Sequence, residues 1–210
     1  MARCPLCSER PAKRFCPAKE TRICPVCCGS KREVEIDCPS SCYHLMAGRA
    51  YEGDQRAPEP QLASVVQAFD KSFIYRHAPV LNAVCLGVLE ERALTPWMVD
   101  SDVIEVFKNL TATMKTLSSG IYYETLPEGA VRVSLFRRLK DLFDGFVQPQ
   151  PSNLEQSLKV SDAVDILNFL TYAATVNSNS RPRSRQYLDL LNNMLEQIEP
   201  VKQAPSLIVP

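Results

Sequence analysis

Residues 4–45 read CPLCSERPAKRFCPAKETRICPVCCGSKREVEIDCPSSCYHL, and eight of the nine cysteines of the chain lie here. They are Cys4, Cys7, Cys16, Cys24, Cys27, Cys28, Cys38 and Cys42; Cys85 stands apart. Dense cysteine means either a disulfide framework or thiolate ligands. The N-terminus, Met-Ala-Arg-Cys-Pro, has no apolar signal core, so the expected compartment is the cytoplasm and the expected state is reduced, metal-binding thiolate. Cys4-x2-Cys7 and Cys24-x2-Cys27 each offer two sulfurs from one tight turn, which suits zinc. Eight thiolates make two complete tetrahedra, so two zinc ions are expected.

Which four share an ion is not fixed by spacing alone. In the interleaved arrangement Cys4, Cys7, Cys24 and Cys27 take one ion, and Cys16, Cys28, Cys38 and Cys42 take the other. In the sequential arrangement Cys4, Cys7, Cys16 and Cys24 form the first site, which forces the adjacent Cys27 and Cys28 onto one metal in a strained chelate. Interleaving is the preferred reading. His44, two residues after Cys42, is an alternative ligand; as the eight thiols already suffice, it is read as a neighbour of the site. A redox role for Cys24-x2-Cys27 fits less well, because the pair sits among other ligands instead of alone at a helix start.

The pair Cys4 and Cys7, the single Cys16 and the pair Cys24 and Cys27 resemble the spacing of B-box zinc fingers and their cross-brace relatives. The resemblance implies interleaved topology. It departs where a B-box has histidines, at Cys38 and Cys42 here. The ligand it expects near Lys19 or Glu20 is replaced by Cys28. The likeness therefore implies a cross-brace and no ubiquitin-ligase role. The run CPVCCGSKREVEIDCPSSCYHL is also similar to bacterial proteins that join such a finger to a helical region.

Around this stretch the composition is balanced: 24 Lys and Arg against 24 Asp and Glu. Residues 1–50 hold nine cations and five carboxylates, and the rest of the chain fifteen and nineteen. Eight thiolates and two divalent ions bring the loaded finger near neutrality. Nucleic-acid binding needs a field of cations facing phosphate, so the average charge argues against it, although Arg3, Arg10, Lys13, Arg14, Arg22, Lys31 and Arg32 remain available as a local patch. No run of about eighteen apolar residues suggests a membrane span.

Downstream the chain reads as mainly α. Residues 1–50 form the two-zinc module, 51–60 a polar linker, 61–147 the first half of a helical bundle, 148–152 a Pro-rich linker, 153–199 the second half, and 200–210 a tail. Leu62, Val65, Val66, Phe69, Phe73 and Ile74 recur at helical spacing. Pro79 is read as a break, and Thr95-Pro96 as a helix start. Val99, Val103, Ile104, Phe107, Leu110 and Met114 form the next stripe, ended by Gly120, and Pro127 opens another helix. Two more are expected near 162–176 and 183–198. Ser101-Asp102-Val103-Ile104-Glu105 and Ser161-Asp162-Ala163-Val164-Asp165 echo each other at an offset of sixty, which suggests two related helix hairpins. Arg137, Arg138 and Lys140 read as a solvated face. Arg181, Arg183 and Arg185 flank a helix start, where the helix dipole disfavours cations; plain solvent exposure is the preferred reading, and a partner-facing loop is the alternative. The apolar stripes are expected to suffice for a core of their own.

No phosphate-cradling glycine loop, nucleophile elbow or metalloprotease helix is present. The expected function is a non-enzymatic adaptor or regulator that docks another protein. A nucleic-acid-binding regulator is the second reading, and an enzyme with its site among the helices the third.

Overall fold

A computed structural model describes residues 2–55, 69, 71–120, 123–147 and 157–198. The calls on residues 61–68, on the linker 148–152 and on the tail 200–210 lie outside them. The architecture is mainly α, with one small hairpin. Strands β1 (Arg14–Cys16) and β2 (Thr21–Ile23) pair antiparallel, with Arg14 opposite Ile23, Phe15 opposite Arg22 and Cys16 opposite Thr21. Helices follow in the order α1 (Pro25–Ser30), α2 (Tyr43–Gln55), α3 (Lys71–Leu94), α4 (Asp100–Ser118), α5 (Ala130–Val147), α6 (Val160–Asn177) and α7 (Gln186–Ile198). Helix α2 thus extends through the first five residues of the expected linker.

The bundle core is apolar and continuous. Val84 and Val88 of α3, Val103, Val106, Phe107, Leu110 and Met114 of α4, and Leu135, Phe136, Leu139 and Phe143 of α5 are buried. So are Ala163, Ile166, Leu167 and Ala174 of α6 and Leu188 of α7. Burial of each large side chain contributes roughly 1.5–3 kcal/mol, so this half of the molecule has ample driving force. Helices α4 and α6 make the most extensive contact of the fold. The sixty-residue echo is carried in their burial: Val103, Val106, Phe107, Leu110 and Met114 are buried, and so are Ala163, Ile166, Leu167, Leu170 and Ala174. Thr111 and Thr171 each donate to the carbonyl four residues earlier.

Three local expectations are corrected. Pro79 lies inside α3, which runs unbroken from Lys71 to Leu94; the buried Val80, Leu81, Val84 and Val88 that follow hold the helix against the core, and packing outweighs the lost hydrogen bond. Thr95-Pro96 does not start α4. It closes α3, with the Thr95 N–H donating to Glu91 O, and α4 begins at Asp100, where the Asp102 carboxylate accepts the Val99 N–H at 3.1 Å. The face expected to be solvated is also partly internal. Arg138 bridges Glu90 and Glu91 of α3, and Lys140 is buried with Asp144 and Glu124 as its ion partners.

Among the described helices, α3 is long and apolar enough to cross a membrane by length and composition; in this fold its buried stripe packs into the core. The lone Cys85 also packs against that core, and burial pushes its thiol up to about 11. His77 is buried against the Phe73 ring at 4.7 Å.

One charged residue orders a helix end from a distance. Asp100, at the start of α4, accepts from Ser184 Oγ at 2.6 Å and from the N–H groups of Tyr187 and Leu188 at 3.2 Å. These are orphan donors in the first turn of α7, so Asp100 caps α7 in trans. The cap fixes the loop 178–185, which carries the three arginines singled out above.

Candidate metal centre

The finger is built from two knuckles and a hairpin. In the first knuckle Cys4 N–H donates to Arg10 O and Ser8 N–H to Cys4 O, and Ser8 takes a left-handed φ of 58° to close the turn. This brings Cys4 and Cys7 to one side. The β1–β2 hairpin then carries the chain back to Cys24. Cys24 caps α1 with Pro25 in its first turn, and its sulfur accepts the Cys27 N–H at 3.3 Å. The short helix holds Cys27 beside Cys24.

Cys4, Cys7, Cys24 and Cys27 converge, with their sulfurs all within 4.8 Å of one another. The Cys7 and Cys24 sulfurs are 3.9 Å apart. A tetrahedron of sulfurs at about 2.3 Å from a central zinc has edges of about 3.8 Å, so the spacing fits a single ion. Cys4, Cys24 and Cys27 are buried.

Burial opposes ionisation of Cys4, yet the N–H groups of Cys24, Leu6 and Cys7 hold its thiol down to about 6. The N–H groups of Arg10 and Glu9 lower Cys7 as well. Cys27 goes the other way, pushed up to about 12 by burial and by the sulfurs of Cys24, Cys7 and Cys4 beside it. Four thiolates this close need a cation to coexist, and four sulfurs complete a tetrahedron and leave no open position for catalysis.

The four remaining finger cysteines are placed differently. Cys28 follows Cys27 in α1 and projects about 100° away from it, so the two do not serve one ion; Cys16 is absent from the converged set, and the sequential grouping is not what the structure assembles. Cys16 is buried, while Cys28, Cys38 and Cys42 are half-buried. Burial raises the Cys38 thiol, the Glu33 N–H opposes it, and the charges of Cys42 and Cys16 raise it further, so these three lie within electrostatic reach. Among the described residues no second group of three converges as closely as the first. His44 is half-buried with its ring 5.5 Å from that of Tyr43. Burial and the charges of Arg14 and Arg32 hold its pKa below the ordinary imidazole value.

The finger does not hang free of the bundle. Glu33 has a left-handed φ of 54° and is fully buried. Its carboxylate accepts from Arg49 Nη2 at 2.5 Å and from Asn179 Nδ2 at 2.6 Å, and its carbonyl accepts the Arg183 N–H at 2.9 Å. Arg49 reaches on to Asp189 of α7, which also takes Arg92 and Ser40. Arg181 pairs with Glu52, and Arg185 with Asp37. The arginine loop therefore has a partner, and it is the finger of the same chain.

Arg32 is buried and lies across Gly48 of α2: a Cβ at Gly48 would come within 1.4 Å of its Nη1. Sequence reasoning missed Glu33, Asp189 and Arg49, which look like ordinary surface charges; the misplaced cations at a helix start were the one visible sign. Beside this junction lies a cleft of about 240 Å³ lined by Arg49, Asn177, Gln186, Asp189, Leu190 and Asn193, whose two charged side chains are paired with each other.

No protein-family model matches this chain, and neither a curated protein nor a solved structure matches it.

Proposed function

We propose that the chain is a zinc-stabilised, non-enzymatic adaptor or regulator whose finger is mounted rigidly on a helical bundle. The observation that carries this reading is the convergence of the Cys4, Cys7, Cys24 and Cys27 sulfurs in a closed tetrahedral set. Zinc is the ion that four thiolates at this spacing suit best. Bound there, it would cross-link the two knuckles and fold a segment whose aliphatic core is little more than Ile23, Ile36 and Leu45.

Cys16, Cys28, Cys38 and Cys42 are the proposed ligands of a second zinc. Together the two sets give the interleaved, B-box-like cross-brace. A partner protein is proposed for the outer face of α2. Tyr43, Met46 and Tyr51 are 75%, 56% and 69% exposed there; several exposed large apolar side chains on one short helix mark a docking site.

The test has two parts. Metal analysis of protein purified without chelator should give two zinc ions per chain. Paired substitutions should then sort the ligands: Cys4→Ser with Cys24→Ser should cost little more than either alone, and likewise Cys16→Ser with Cys38→Ser, because loss of one ligand already empties a site. Additive losses within either pair would refute the assignment.

A further inference from the structure

The neutral charge of the finger conceals a separation. Two of its carboxylates, Glu33 and Asp37, with Glu52 of α2, lie at the junction with the bundle and are held by Arg49, Arg181 and Arg185. Residues 2–30 keep the cations Arg3, Arg10, Lys13, Arg14, Lys19 and Arg22 against Glu9 and Glu20 alone. Among the described residues, Arg10 with Glu9 is the one ion pair made by these six cations. The four-thiolate centre with a divalent ion contributes −2, and the half of a second such centre supplied by Cys16 and Cys28 about −1 more, so this half keeps a small positive charge. Among the described residues, the hydrogen bonds and ion pairs that join finger and bundle start from Glu33, Asp37, Ser40, Arg49 and Glu52, and none starts from the hairpin.

The hairpin register sorts these groups by face. Arg14, Cys16, Thr21 and Ile23 share the inner face. Phe15 lies directly opposite Arg22 on the outer face, and Lys13, two residues earlier, projects to that same side. Phe15 is 56% exposed, and Lys13, Lys19 and Arg22 are exposed. An aromatic ring left in water on a sheet face, with Arg22 opposite it and Lys13 two residues before it, combines the two elements that grip single-stranded nucleic acid: a stacking platform for a base and charges for the flanking phosphates. A duplex offers the phosphates but keeps its bases stacked, so it uses only half of this surface.

We propose that the outer face of the hairpin, centred on Phe15 with Lys13, Lys19 and Arg22, binds single-stranded RNA or DNA. The site is separate from the face of α2 assigned to a protein partner, and it rests on the preceding reading only in needing a metal-folded finger.

The experiment is fluorescence anisotropy of the metal-loaded full chain with a labelled mixed-sequence 12-mer single strand, across 50 to 200 mM salt. Competitors are the matching duplex, polyglutamate and anionic phospholipid vesicles. The single strand is expected to bind, to outcompete the duplex and to resist displacement by polyglutamate and vesicles. Phe15→Ala should weaken binding roughly five- to 150-fold, as expected for one lost base stack. Lys13→Gln with Arg22→Gln should reduce the slope of log affinity against log salt by about 1.4 for two phosphate contacts on a single strand. Tyr75→Ala, which removes an exposed aromatic of the bundle, should change nothing.

Each variant is checked for zinc content and melting temperature. No binding by the zinc-loaded wild type, equal affinity for the duplex, binding indifferent to Phe15→Ala in a metal-replete protein, or preferential capture by polyglutamate or vesicles would each overturn the proposal while leaving the metal centre intact. Protein that carries no zinc and folds without it would instead remove the reading on which the finger stands.

Discussion

The finger and the bundle reach order by opposite routes. The bundle closes Phe107, Phe136 and Phe143, with a full set of Leu, Val and Ile, into one apolar core. The finger has a cluster in which cysteines outnumber aliphatics: Cys4, Cys16, Cys24 and Cys27 with Ile23 and Ile36. One half is held by area removed from water; in the other, four converging sulfurs are placed to hold a cation. Between them lies neither kind of material but a buried lattice of Arg, Glu and Asp. The difference teaches that the two halves should fail under different insults, and that the junction should report on both.

The strongest way to break the comparison is to remove metal. A chelator with reductant should unfold residues 2–42, because structural zinc contributes roughly 10–16 kcal/mol in finger peptides and the few buried aliphatics here cannot replace it. The expected outcome is full reactivity of the eight finger thiols toward a thiol reagent, with most of the helical circular dichroism retained. Helicity lost in step with thiol exposure would show that the bundle has no order of its own.

The junction comes next. Asp189→Ala leaves Arg49 and Arg92 mostly buried without their shared carboxylate. Breaking such a pair costs about 3 kcal/mol or somewhat more, which for a chain of this size lowers the melting temperature by roughly 6–12 °C. A fragment from residue 59 onward should remain helical yet melt below the full chain, since Arg181, Arg185 and Asp189 lose their finger partners. A fragment that melts with the full chain would make the two halves independent after all.

A smaller effect is expected at Gly48→Ala. The new methyl meets the Arg32 guanidinium, and forcing a buried side chain aside costs typically 1–3 kcal/mol. Denaturant titration should show a lower midpoint, and a neutral result would mean that Arg32 has room to move.

The smallest effect belongs to Asp37, whose partner Arg185 holds its carboxyl below the ordinary value of 3.8. A depressed carboxylate stabilises the fold above its unfolded pKa and loses that contribution as pH falls through the folded value. Asp37→Asn should therefore cost about 1 kcal/mol or less at neutral pH, as for other exposed pairs. The gap from wild type should close only below pH 3.8. A gap that closes near neutrality would assign the effect to another group.

Much of this was legible in the chain. Cysteine spacing identified the converging pairs, since a C-x2-C knuckle is local and its ligands lie a turn apart. Helical periodicity gave α4 through α7, because Val103, Phe107, Leu110 and Met114 repeat at the interval at which they are buried. The places where reading failed are those decided by distant groups. Pro79 is carried through α3 by the core around it, and no neighbour in sequence says so. Glu33 accepts a hydrogen bond from Asn179 across 146 residues, and Arg49 pairs with Asp189 across 140; contacts of this kind leave no periodic trace. A charge sum leaves no such trace either, because it cannot show that Glu33 is buried at the junction while Lys13, Lys19 and Arg22 are exposed.

The central claim is that thiolates gripping zinc fold the finger, and zinc K-edge X-ray absorption on the natively purified full chain tests it most directly. The account predicts a first shell of sulfur alone, four per zinc at about 2.3 Å. A shell containing nitrogen or oxygen, or a folded protein with no zinc edge, would contradict it.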